Sequence, residues 1–172
     1  MQQLLACDAA TLPRFLPDAS AAAAVRGVFA GQWGFGAGAG GCPRAAAAAA
    51  AAARAEPGRF VLKPQREGGG HNLFGGALAA ALSGGMAPEE LEAHVLMERL
   101  HPAPSPCALV KGGAATLARA ACELGVYGVF LGGGGRVLLN EAAGHLLRTK
   151  VTGTDEGGVA LGFAVLDSPM LV

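Results

Sequence analysis

Aromatic residues are scarce in this chain: one tryptophan, one tyrosine and seven phenylalanines make up 5% of 172 residues. Any core must therefore be built mainly from Leu, Val and Phe, and it will be light. Cysteine is scarce too. Cys7, Cys42, Cys107 and Cys122 contain no C-x-x-C pair, and His71, His94, His101 and His145 have no spacing that completes a zinc site. All four thiols read as reduced. An excess of charge of either sign is missing, since 13 Lys and Arg balance 13 Asp and Glu. That excludes an overall field steering the chain toward nucleic acid or an anionic membrane, so any anion must be held locally. Long apolar runs are missing as well: Arg44 and Arg54 bracket the longest alanine tract, well short of the ~18–20 residues of a membrane span. The opening Met1-Gln2-Gln3-Leu4-Leu5 has no basic segment ahead of an apolar stretch, so no secretory signal is expected. The expectation is a soluble protein in an intracellular, cytoplasmic setting, with a plastid as the alternative.

What is abundant is alanine and glycine. The stretch to Glu56 holds a Gly/Ala run from Gly34 to Gly41 and nine consecutive alanines, Ala45 to Ala53. Alanine is the best helix former, so Arg44 to Ala55 is expected to be helical and Pro57-Gly58 to end it. Residues 1–56 read as a helical connecting segment, and 57–172 as the functional portion. Gly36-x-Gly38-x-x-Gly41 matches the dinucleotide-binding spacing, but no β-rich run precedes it and Cys42-Pro43 follows it, so it is set aside. From Arg59 the pattern changes to short β-rich runs: 59–63, 94–98, 107–110, 126–131 and 137–140 read as strands. Gly132 to Gly135 should join the last two as a hairpin. Helices are expected near Gly76 to Leu82 and Ala114 to Leu124. The fold class is α+β, an antiparallel sheet with flanking helices.

Two clusters carry chemistry. Phe60-Val61-Leu62-Lys63-Pro64-Gln65-Arg66-Glu67-Gly68-Gly69-Gly70-His71-Asn72 places an ammonium at a strand end, a carboxylate four residues on, and then three glycines. Glycines let backbone N–H groups approach phosphate oxygens, Lys supplies a point charge, and Glu can hold Mg²⁺. It is not a Walker A loop, because the lysine precedes the glycines. A plain glycine-rich hairpin with solvated Lys and Glu would look the same. The second cluster is Gly144-His145-Leu146-Leu147-Arg148-Thr149-Lys150 with Gly157-Gly158-Val159-Ala160. On a strand Arg148 and Lys150 face one way. By itself this reads as a wet edge strand. Two cationic strand ends, each followed by glycines, suit a nucleotide covered by loops.

These segments resemble the eukaryotic glutathione synthetases. Residues 60–75 are similar to that family's glycine-rich loop; 144–150, 157–160 and 164–169 are similar to its alanine-rich loop and closing strand. Leu96-Met97-Glu98-Arg99-Leu100 resembles the family's Met-Glu-Lys-Ile, and Cys122-Glu123-Leu124-Gly125 its Ser-Glu-Leu-Gly. The likeness extends upstream through Leu12 to Leu16 and Phe29 to Trp33. It implies a partial ATP-grasp fold with glycine-rich lid loops, and an ATP-dependent ligase joining γ-glutamylcysteine to glycine. It implies ATP and Mg²⁺ as bound species, no nucleic-acid or membrane partner, and a homodimeric full-length enzyme.

Carried over by position, Lys63 would hold ATP phosphates and act in catalysis, Glu67 would bind Mg²⁺, and Gly68, Gly69, Gly70, His71 and Asn72 would form the lid. Phe74 would also contact nucleotide. Met97, Glu98, Arg99 and Leu100 would line the adenine pocket by their backbone, with Glu123, Lys150 and Glu156 on the nucleotide. Arg148, Val159 and Ala160 would meet the dipeptide substrate, and Arg148 would act in catalysis with Lys63. His71 and Phe74 stand where the family commonly has Asn and Tyr. The family's other Mg²⁺ ligands, its serine-rich substrate loop and a further ATP-binding lysine have no counterpart here, so the chain is expected to be a C-terminal portion. The competing readings are a non-catalytic ATP-binding module and an inert truncated paralogue.

Overall fold

The computed structural model describes residues 2–8, 10–36, 43–66, 70–153, 155, 159 and 164–169. They fall into two compact units, Met1–His101 and Pro102–Val172. The compositional break at 56/57 lies inside the first.

The first unit runs α1 (Gln2–Cys7), α2 (Ala19–Gly27), β1 (Gln32–Gly34), α3 (Pro43–Ala55), β2 (Phe60–Pro64), α4 (Gly75–Ala80), α5 (Pro88–Leu91) and β3 (His94–Glu98). Asp18 starts α2 by accepting from the Ser20 N–H at 2.9 Å, satisfying one orphan donor of the first turn. The alanine tract forms α3, and even this featureless sequence has a buried stripe: Ala46, Ala49, Ala50 and Ala53, at helical spacing. Ala49, Ala50 and Ala53 of that stripe pack on Phe60, Leu62 and Leu96 of the sheet and on Leu78 of α4. Leu62, Leu78 and Leu96 are each 0% exposed. The sheet is antiparallel with order β1-β3-β2. β1 was not foreseen: three residues containing a single β-favouring side chain, Trp33, are too few to show a period, and β1 exists because β3 has a free edge beside it.

The second unit is β4 (Ser105–Lys111), β5 (Ala114–Gly133), β6 (Arg136–Val151) and β7 (Val165–Asp167), an antiparallel sheet in that order. The helix expected over Ala114 to Leu124 is wrong; those residues open β5. Gly112 and Gly113, with φ of 58° and 79°, form a two-residue turn that sends the chain straight back along β4. Every residue from Ala114 to Ala120 then gains a ladder partner, which outweighs an intrinsic helix preference of at most some tenths of a kcal/mol per residue (about 0.7 across ordinary residue types). The glycine hairpin is as expected, turning at Gly134 and Gly135 with φ of 57° and 76°. β6 carries two extra residues relative to β5. Tyr127 pairs with Gly144 and Gly128 with Ala142, leaving Ala143 over; Leu131 pairs with Leu139 and Gly132 with Val137, leaving Leu138 over.

The α+β class and antiparallel pairing are as expected. No helix among the described residues is long and apolar enough to cross a membrane.

Candidate functional site

The first unit's sheet has two different faces. Partners directly opposite in an antiparallel pair point the same way, so the register Lys63↔Val95 and Val61↔Met97 puts Lys63, Val61, Val95 and Met97 on one face. Phe60, Leu62 and Leu96 point to the other, into the helices. Val61 is buried, Val95 and Met97 are half-buried, and Lys63 is exposed at the strand end with no partner among the described residues. The result is an apolar floor with an ammonium at one end. From Val95 to Glu98 the strand advances about 10 Å.

The far end of that floor is held by backbone bonds on both sides. The Glu98 N–H donates to the Gly31 carbonyl at 2.8 Å, the Glu98 carboxylate accepts from the Gly31 N–H at 2.8 Å, and the Arg99 N–H donates to the Arg59 carbonyl at 2.8 Å. A Cβ on Gly31 would lie 2.4 Å from the Trp33 ring and 3.0 Å from the Glu98 side chain, so this approach needs glycine. The N–H groups of Glu98 and Arg99 are thus already used. The next one, on Leu100, meets no acceptor among the described residues and is free for a ligand.

The glycine-rich loop is tied at its base. Leu62 and Leu73 exchange two backbone bonds, 3.0 and 2.9 Å, which bring the two ends of the intervening segment together. Gly70 takes φ of 84°, a backbone that other residues rarely adopt. Phe74 follows, caps α4 through its carbonyl and receives the Arg99 guanidinium over its ring at 5.4 Å. His71 is exposed and Asn72 half-buried. Glu67, Gly68 and Gly69 lie outside the described residues.

In the second unit Arg148 and Lys150 do sit two apart on one strand, and the register Glu123↔Arg148 and Ala121↔Lys150 places all four on one face. Glu123, assigned to the nucleotide on sequence grounds, forms an ion pair with Arg148. Lys150 is half-buried and unpaired among the described residues. On the opposite face Thr149 is buried, its hydroxyl donating to the Asp167 carboxylate at 3.0 Å and lying 3.3 Å from Cys122 Sγ. That packing, which no sequence pattern announced, fixes the strand from behind. Val159 is half-buried; Glu156 and Ala160 lie outside the described residues.

Residues 1–171 match the family model of the eukaryotic glutathione synthase ATP-binding domain. The chain belongs to the eukaryotic glutathione synthase family. Glutathione synthetase from Xenopus laevis is 40% identical over 163 residues, 94% of this chain and 33% of that protein. The Bos taurus enzyme is 42% identical over 160 residues, and the chloroplastic enzyme of Arabidopsis thaliana 40% over 163, covering 92% and 94% of this chain and 33% and 29% of those proteins. Among solved structures, a glutathione synthetase-like effector from Globodera pallida in its apo form superposes with a TM-score of 0.67 at 26% identity, over all of this chain and 33% of that one. The chain therefore spans about a third of the length of the glutathione synthetases it matches. It corresponds to their ATP-binding domain, and the family is one of ligases.

Proposed function

We propose that this chain supplies the nucleotide-binding part of an ATP-dependent ligase that joins γ-glutamylcysteine to glycine, giving glutathione, ADP and phosphate. The observation that carries the reading is the single sheet face holding Lys63 at one end and the unused Leu100 N–H beyond the other, with Val61, Val95 and Met97 between. Lys63 meets the phosphates, the Leu100 backbone meets the adenine edge, and the loop through Gly68, Gly69, Gly70, His71 and Asn72 covers the nucleotide. In the second unit Lys150 and Glu156 belong to nucleotide binding, while Arg148, Val159 and Ala160 take the dipeptide, Glu123 holding the guanidinium of Arg148. ATP phosphorylates the dipeptide carboxylate, and the glycine amine displaces phosphate from the acyl phosphate.

Among the described residues no three His, Cys, Asp or Glu side chains come together to hold a metal ion. A Mg²⁺ would rest on Glu67 together with phosphate oxygens and water, the usual way this ion is bound beside nucleotides, and would neutralise phosphate charge. The net charge of zero gives no reason to assign a nucleic-acid partner. Homodimerisation of a full-length enzyme and a cytoplasmic setting belong to the same proposal, with a plastid setting drawn from the chloroplastic relatives.

The test has two parts. In a full-length enzyme carrying this segment, Lys63→Ala should lower turnover by roughly 10²-fold or more, the scale for losing one electrostatic contact to a transferring group. Turnover unchanged by Lys63→Ala would reject the assignment. The 172-residue chain, given ATP, Mg²⁺, γ-glutamylcysteine and glycine, should release no glutathione on chromatography while still binding ATP. Holding donor and acceptor in line contributes ~7–11 kcal/mol, and a third of the enzyme offers too few groups for it. The match of residues 1–171 to an ATP-binding domain fits a second reading as well, a module that binds ATP without ligating. Sustained glutathione release would overturn both the module and the fragment readings.

A further inference from the structure

Phe74 stands where the glycine-rich loop runs into α4, and its ring has no polar atom by which the protein could orient it. Leu73 pairs with Leu62 and packs with it against the core, so the next side chain of this extended segment points the other way, to the face of Lys63 and Val61. Continued by one residue, the antiparallel register sets Phe74 beside Val61, on the side away from Met97. Arg99 follows β3 in the same alternation as Val95 and Met97, so its side chain belongs to this face too. Its guanidinium carbon lies 5.4 Å from the centre of the Phe74 ring. Since β3 and the Leu73–Phe74 segment flank β2 on opposite sides, the contact crosses β2.

The backbone is anchored at both ends of this contact. The Arg99 N–H donates to the Arg59 carbonyl at 2.8 Å, and the Phe74 carbonyl accepts from the N–H groups of Ala77 and Leu78 at 3.2 and 3.3 Å. Both side chains are half-buried. A phenylalanine ring at a loop end has other staggered rotamers open to it, and a cation over its face favours the one in which the two groups meet. A planar guanidinium is the cation best suited to lie on a ring. Arg99 also immediately precedes Leu100, whose N–H is the free donor at this end of the floor. One side chain thus ties the end of β3 to the end of the glycine-rich loop.

We propose that Arg99 acts through its side chain as a positioning residue, its guanidinium holding the Phe74 ring as a side wall of the apolar floor, so that the grip on a nucleotide's base depends on it and the grip on the phosphates does not. The proposal rests on reading this face as the nucleotide site, with Lys63 on the phosphates.

Calorimetric titration of the whole 172-residue chain with ATP and with inorganic tripolyphosphate tests it. Arg99→Met should weaken ATP about fivefold or more, the scale of a half-buried cation–ring contact, and leave tripolyphosphate within about twofold. Arg99→Lys, which keeps a cation over the ring, should recover most of the loss. Phe74→Leu should weaken ATP at least as much, and adding Arg99→Met to it should weaken ATP no further, because the arginine acts only through the ring. That last result separates positioning from a general loss of structure, which would add. ATP binding unchanged by Arg99→Met would overturn the proposal, as would additive losses in the double variant. Equal weakening of ATP and tripolyphosphate by Arg99→Met would place the guanidinium on the phosphates and overturn it too. Lys63→Ala keeps the two readings apart: it should weaken both probes, and if it weakens neither, or if ATP gives no saturable heat, the nucleotide site itself is wrong and the role of Arg99 falls with it.

Discussion

The two units solve the problem of burial in opposite ways. In Met1–His101 a short sheet lies under helices, and Leu62, Leu78 and Leu96 are completely enclosed although most of the helical partner surface is alanine. Among the described residues of Pro102–Val172 the fully buried side chains are small, Ala120 and Thr149, while Leu117 is 86% exposed, Phe130 67% and Val126 70%. Among the described residues the β5–β6 ribbon beyond Ala121 has no third strand along β5, and β7 meets β6 only at Leu147, Arg148 and Thr149. A two-stranded ribbon is marginal in water, and so much exposed apolar surface is unusual for a domain complete in itself. The difference teaches that the same α+β chain contains one part with a core and one part whose order is mainly a matter of strand register. It also explains why the first unit holds its candidate groups against a packed floor, whereas Arg148 in the second is steadied by an ion pair and by Thr149 behind it.

Three measurements would break or sharpen this contrast. The largest effect should come from the first unit's core: Leu96→Ala is expected to lose about 2–5 kcal/mol in denaturant unfolding, while Phe130→Ser in the ribbon stays within about 0.5 kcal/mol. Equal losses would show that the ribbon is packed after all. Gly135→Ala should cost an intermediate amount, about 1–2 kcal/mol in the second unit's transition, since its φ of 76° is unfavourable for a side chain. A neutral result would mean that the turn does not hold the register. The smallest effect concerns Asp8, whose carboxyl is held below its usual range first by the Thr11 hydroxyl and then by the Ala10 N–H. A depressed carboxylate contributes stability above its unfolded value and loses it as pH falls through the folded one. Wild type and Asp8→Asn should therefore differ slightly at neutral pH and converge below the normal carboxylate range of 3.8. A difference that persists at the acid end would assign the effect to something other than ionisation.

Much of the fold was visible in the sequence, and for identifiable reasons. The alanine tract, the strands around Lys63 and Met97, and the glycine hairpin each combine local preference with the final pairing, so local reading and fold agree. Ala114 to Leu124 failed because Ala and Leu favour helix while the decisive information lay two residues upstream, in Gly112-Gly113. For the site, the shared face of Arg148 and Lys150 follows from strand period alone and is present. The Glu123–Arg148 pair was invisible, because it depends on a register set by two extra residues in β6. The contact of Arg99 with Phe74 was equally invisible, since it crosses β2 between segments distant in the sequence.

Those two extra residues, Ala143 and Leu138, have a further consequence. Each is a residue of β6 with no partner on β5, so the ladder takes up the surplus locally and the pairs beyond it keep their faces. Arg148 faces as its partner Glu123 does, and Lys150 as Ala121 does. The two residues are therefore slack in the ladder. Losing either would close its own irregularity and leave the Glu123↔Arg148 and Ala121↔Lys150 pairs as they are, whereas slipping the whole strand by one residue would send both cations to the side now held by Thr149.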